Sequence, residues 1–191
     1  MNSRQTLMPV VLGLAVLGAA ASRPSAQAGT ETFSGTATVK TAAGATASSP
    51  LTVTIDRKMS QQEADSMLAA FKAGGAAALR KALVGVPPTG SIQLGGGTPA
   101  TARLSMERAT DKGRLLTLVC DKPILFLGAS LPTAKPKEGF DFAVLDIEVD
   151  AAGKGSGTLA PAAKVTVKQG AFVVEDYGSE RVQISDVQKK K

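Results

Sequence analysis

From Glu31 to Lys40, Phe33, Gly35, Ala37 and Val39 alternate with Thr, Ser and Lys, the period of two that belongs to a half-buried strand. Leu51, Val53 and Ile55 alternate with Thr52, Thr54 and Asp56, which predicts a second strand paired with the first across a long loop. The period changes at Ser60-Gln61-Gln62-Glu63. There a hydroxyl and a carboxylate three residues apart can satisfy each other's free backbone amides, the capping box that starts a helix. Met67, Leu68 and Phe71, then Leu79, Ala82 and Leu83, recur at helical spacing on either side of Gly74-Gly75. Because each glycine costs a helix interior about 1 kcal/mol, the pattern predicts two short helices or one kinked helix ending near Gly85.

Past Pro87-Pro88 the alternation returns. A short strand is expected near Ile92 and Leu94, another with Ala102, Leu104 and Met106 facing inward, and a third over Leu115 to Cys120 after a turn at Asp111-Lys112-Gly113. Residues 121–139 carry three prolines around the apolar run Ile124-Leu125-Phe126-Leu127. They predict an irregular segment folded over the core, or an exposed loop that contacts a partner, since exposed apolar patches mark interaction surfaces. From Phe140 to Asp150 the apolar positions pass from even (Phe140, Phe142, Val144) to odd (Leu145, Ile147, Val149). Such a slip predicts a β-bulge, or a strand buried on opposite faces at its two ends. Further strands are expected near Ala163 to Val167, Phe172 to Glu175 and Val182 to Ile184. Two strands, a helical pair and some six more strands predict an α+β fold: a curved, mainly antiparallel and barrel-like sheet of about eight strands covered by a short helical hairpin.

Composition places this fold. Arg4, an apolar run from Leu7 to Ala21 and Ala26-Gln27-Ala28 have the arrangement of a cleaved secretory signal. The run is shorter than the roughly twenty residues of a membrane span and contains Pro9. The expected organisation is a signal peptide over 1–28, one domain over 29–188 and a basic tail over 189–191, in a secreted or periplasmic protein with no transmembrane span after cleavage. One cysteine, Cys120, forms no internal disulfide, and its apolar strand predicts a buried thiol. The net charge of +6 includes Arg4, Arg23 and the tail lysines 189–191. The body is therefore close to neutral, and with no Trp and one Tyr the chain lacks the basic surface and aromatic platforms of a nucleic-acid binder.

The chain contains no His, which removes Ser-His-Asp and Cys-His catalysis and the usual nitrogen ligand of zinc. No cofactor, metal or catalytic residue is assigned. Asp146, Glu148 and Asp150 share one strand face about 7 Å apart, but a calcium loop wants Gly and Glu where Ala151 and Gly157 stand. The pairs Lys58/Ser60 and Lys154/Ser156 do not specify a nucleophile and its base. The stretch Gly153-Lys154-Gly155-Ser156-Gly157-Thr158 resembles a phosphate loop only in composition. Lys154 is followed by Gly155, and Leu159-Ala160-Pro161 opens no helix. A hairpin fits instead, with Asp150 bonding forward, Gly153 closing the turn, and Gly155 and Gly157 letting something approach closely.

The helix start SQQEAD, TLVCDKPILF (residues 117–126) and LDIEVDAAGKGSGTLAPAAKV (residues 145–165) resemble segments of secreted bacterial proteins of unknown function. In those, the stretch matching Cys120-Asp121-Lys122-Pro123 reads Thr-Asp-Arg-Pro, from which this chain departs at Cys120 and Lys122. The resemblance carries over no active residue. The leading expectation is an exported, non-catalytic protein that binds a small apolar ligand or a protein partner through Ile124, Leu125, Phe126, Leu127 and Leu131. A hydrolase built on carboxylates such as Asp121, Asp141 or Asp146, and a structural envelope protein without ligand, are the alternatives.

Overall fold

A computed structural model describes residues 29–40, 44, 46–124, 138–168, 171–176 and 181–191. The signal expected over 1–28, and Leu125, Phe126, Leu127 and Leu131, lie outside the described residues. The elements are β1 (Glu31–Lys40), β2 (Thr46–Ile55), α1 (Gln61–Val84), β3 (Gly90–Leu94), β4 (Ala100–Thr110), β5 (Gly113–Cys120), β6 (Phe142–Val149), β7 (Lys154–Lys168), β8 (Ala171–Asp176) and β9 (Val182–Lys189). Strand order is β6-β5-β4-β3-β2-β1-β9-β7-β8, and β7 also pairs with β6. The expected curved antiparallel sheet is therefore a closed barrel of eight strands. β8 stands outside it, paired with the last five residues of β7 in an arm that leaves the barrel wall.

Alternation decides what fills the barrel. Phe33, Ala37 and Val39 from β1, Leu51, Val53 and Ile55 from β2, Leu116, Leu118 and Cys120 from β5, and the odd positions 143 to 149 of β6 form one buried cluster. Eight strands enclose a space that side chains can just fill. Each large apolar residue so buried contributes about 1.5–3 kcal/mol.

A second cluster lies on the outside of the wall, where Met67, Leu79 and Leu83 of α1 cover Leu104, Val119, Phe142 and Val144. Two expectations change here. β6 carries no slip of its own: its odd residues face the interior, while Phe142 and Val144 face α1, so both faces are buried at one end. The irregularity sits in β7, where Pro161 and Ala162, between Ala160 and Ala163, oppose the single residue Ala143 between Phe142 and Val144. In β4, Ala102 pairs with Cys120 but Leu104 with Val119, which leaves Arg103 as an extra residue. This bulge turns Leu104 and Met106 to the outer face beneath α1, although Ala102, of the same parity, points inside.

The helix starts as its sequence dictates. The Glu63 amide donates to Ser60 Oγ at 3.2 Å and the Ser60 amide to Glu63 Oε2 at 2.8 Å. α1 is one segment broken in the middle: Gly75 has φ 64° and ψ −152°, a conformation open essentially only to glycine. The break lets Met67 and Phe71 from one half and Leu79 and Leu83 from the other follow the curved wall.

The β6–β7 connection is the expected hairpin. The Lys154 amide donates to Asp150 Oδ1 at 2.8 Å, the Gly153 amide to the Asp150 carbonyl at 3.0 Å, and Gly153 has φ 77°. What approaches Gly155 and Gly157 is β6 itself. A Cβ there would stand 1.8 Å from the Glu148 carbonyl oxygen and 2.1 Å from that of Asp146. Nothing else has room at these positions, so they serve closure of the barrel between β6 and β9.

An ion network joins β1, β4, β5, β9 and the segment entering α1. Glu31, only 8% exposed, accepts from Arg114 at 2.8 and 3.0 Å and from Lys189 at 2.5 Å. Glu107 pairs with Arg114 at 2.9 Å and with Lys58. The Arg114 guanidinium also lies 5.9 Å above the Phe33 ring. Its hydrogen bonds to Glu31 hold that carboxyl down from 4.5 to about 2, against the opposing effect of burial. Lys189, expected in the basic tail, is thus part of β9 and of this network.

Candidate functional site

The outer face of β4, β5 and β6 forms a floor of three cross-strand rows. Leu104, Val119 and Val144 make the first, Met106, Thr117 and Asp146 the second, and Arg108, Leu115 and Glu148 the third. Polarity rises from row to row. The second half of α1 covers the first row through Leu79 and Leu83, and the β7–β8 arm stands opposite with Val165, Val173 and Val174. Between these walls lies a groove of ≈ 590 Å³ whose charged lining groups are Glu107, Arg108 and Asp146. That volume falls within the range of small-molecule sites, which combine apolar walls with a few polar groups.

Asp146 is the charged lining group set deepest into this surface. The Thr117 hydroxyl donates to its Oδ1 at 2.5 Å. Burial pushes its carboxyl above the usual range, opposed by the Thr117 bond and by the charge of Arg108. Asp146 makes no ion pair among the described residues, whereas Glu107 is held by Lys58 and Arg114 and sits below the ordinary carboxylate range even though it too is partly desolvated.

The other carboxylates singled out from the sequence are scattered and individually occupied. Asp141 pairs with Arg80 at 3.1 Å, and Asp121 with Arg103 at 3.6 Å. Asp150 closes the β6–β7 turn. No three of His, Cys, Asp and Glu gather as metal ligands among the described residues. Ser60 is engaged in capping α1, and its neighbour Lys58 in pairing Glu107. A shallower hollow of ≈ 420 Å³ lies on the other side of α1, between Arg80, Lys81, Asp121 and Lys122. Cys120 is 1% exposed in the barrel interior.

Of the expected contact loop, Ile124 is described. It packs against the interior cluster and its amide donates to the Pro161 carbonyl at 2.8 Å. It is therefore a half-buried plug residue and does not reach the groove. The groove itself escaped the sequence because its floor depends on the Arg103 bulge. Leu104 and Met106 read as interior residues, and nothing local marks β8 as a projecting wall. Asp146 and Glu148 on one face were legible, and so was the helical stripe ending in Leu79 and Leu83.

No helix among the described residues is long and apolar enough to cross a membrane. Comparison of the chain with protein-family models, curated proteins and solved structures finds no match.

Proposed function

We propose that this is an exported, non-catalytic binding protein that takes a small apolar ligand into the groove between α1 and the β7–β8 arm. The observation that carries the reading is the groove: ≈ 590 Å³ of space walled by Leu79, Leu83, Leu104, Val165 and Val173, beside a barrel interior filled by its own side chains. Apolar walls of this kind gain when a ligand displaces water from them. The sequence supports export through the apolar run from Leu7 to Ala21 and the small residues ending at Ala28. A carboxylate hydrolase has less support, because Asp121, Asp141 and Asp146 each engage a different partner.

A solvatochromic apolar dye tests the groove. It should bind with one-to-one stoichiometry and a blue-shifted emission. Val173→Trp, at a side chain 38% exposed on the groove wall, should fill the space and weaken binding by at least about 10-fold. Equal binding by the variant, or no binding by the parent protein, overturns the assignment.

A further inference from the structure

We infer that the ligand of this groove is amphipathic and cationic: an apolar body lying over Leu104, Val119 and Val144 beneath α1, with a protonated nitrogen paired to the Asp146 carboxylate. The inference rests on the groove being a binding site and adds the chemical class of what enters it.

The rows of the floor set the orientation of such a molecule. Apolar side chains alone form the row under α1, and polarity begins at Asp146 one row farther along. In the second and third rows the groove is lined by one carboxylate, Asp146, and one guanidinium, Arg108. Glu107, the remaining charged lining group, is matched by Lys58 and Arg114. Asp146 is therefore the lining carboxylate that makes no ion pair among the described residues.

Asp146 has one neutral donor, the Thr117 hydroxyl. A carboxylate removed from water is costly unless it is paired, and a bound ligand would remove the water that remains. An ammonium supplies the missing partner through a charge-assisted bond about twice as strong as a neutral one. A carboxylate or phosphate head would instead be brought against Asp146 and repelled. Burial raises the Asp146 carboxyl, and the Thr117 bond and the charge of Arg108 offset that only in part.

Three probes with one tail and different heads separate this inference from the reading beneath it. Dodecylamine, dodecanol and dodecanoate are titrated into the protein expressed from its full sequence, below their aggregation concentrations, by displacement of the apolar dye. Dodecylamine is expected to bind at least about 10-fold tighter than dodecanol, with dodecanoate weakest. Asp146→Asn keeps an acceptor for Thr117. It should abolish the advantage of the amine while dodecanol stays within about 2-fold of its original affinity, and Val173→Trp should weaken all three.

If dodecanol binds and responds to Val173→Trp but the amine gains nothing, or if Asp146→Asn leaves the preference intact, the cationic ligand is refuted and the groove stands. If no probe binds, the groove assignment fails and takes the inference with it. Should Asp146→Asn not fold, acidification of the parent protein gives the same answer. Protonation of Asp146 should reduce the amine's advantage from about pH 8 to pH 4 with dodecanol affinity unchanged. A flat preference overturns the inference.

Discussion

Replacing Glu31 by Gln tests whether the ion network stabilises the barrel. Glu31 is buried at the start of β1 and takes three hydrogen bonds from Arg114 and Lys189. These hold its carboxyl at about 2 instead of 4.5. If the unfolded chain has the ordinary value, that difference is worth about 3 kcal/mol of folding stability. The sign follows from the direction. A lowered carboxyl pKa contributes stability that is complete above about pH 4.5 and is lost as the pH falls toward about 2. Glu31→Gln resembles the protonated side chain at every pH. It should cost about 3 kcal/mol at pH 7, lowering Tm by about 6–12 °C in a domain of this size.

The diagnostic lies in how the gap between the two proteins changes. Urea unfolding followed by circular dichroism, at steps from about pH 7 to pH 2.5, should show the gap closing as Glu31 of the parent protein becomes protonated. Glu63 and Glu107, whose carboxyls are also lowered, are present in both proteins and largely cancel in the difference. A gap that stays constant across this range would mean that the new amide damages packing and that the charge contributes nothing. A gap under about 1 kcal/mol at pH 7 would place the network among surface ion pairs of little weight.

Gly155→Ala should cost about 3 kcal/mol, the upper end of overpacking effects, because the new Cβ meets the Glu148 carbonyl, which no side-chain rotation can move aside. Gly96→Ala, with no atom within 4 Å of its added Cβ, is the control, and equal melting of the two variants would refute the steric account. Burial, with the charge of Asp121 second, pushes the Cys120 thiol up from 9.0 to about 12. Native protein at pH 8 should resist alkylation, with about a thousandfold less thiolate than an ordinary thiol, and react once urea unfolds it; fast labelling of the native state would contradict the buried placement.

Much of the fold was legible because its local signals agree with its global arrangement. The capping box from Ser60 to Glu63, the glycine pair at 74–75 and the turn at Asp150 to Gly153 each act within a few residues. The alternation in β1, β2 and β5 survives because one face of each lines the interior. The features that failed are those in which a distant partner decides. Leu104 and Met106 keep the parity of Ala102 in sequence and lose it in space, since Arg103 is extruded against β5. The apparent slip in β6 reflects burial of both faces where α1 crosses it, while the real bulge lies across the ladder in β7. Of the site, the sequence disclosed Asp146 and the Leu79 and Leu83 stripe. It could not disclose that they meet, because no signal in the chain places the β7–β8 arm opposite α1.

The position of the groove follows from two constraints on this barrel. Eight strands give an interior that holds either its own side chains or one small ligand. Here Phe33, Leu51, Leu118, Leu145 and Ile147, all at most 2% exposed, take that space. The outer face of β4 to β6 is apolar as well, so it must be covered. A broken helix running along it covers the row of Leu104, Val119 and Val144, with Met106 of the next row packed against the same cluster. β7 meets the remaining demand by outrunning the barrel, so that Val165, Val173 and Val174 form a second wall of the groove. The result is a stretch of apolar surface shielded from two sides, with Thr117 and Asp146 where the cover ends. Shortening the arm would expose the floor, and extending α1 across it would fill the groove. A strand that belongs to the barrel for its first half and leaves it for its second is what keeps the space open.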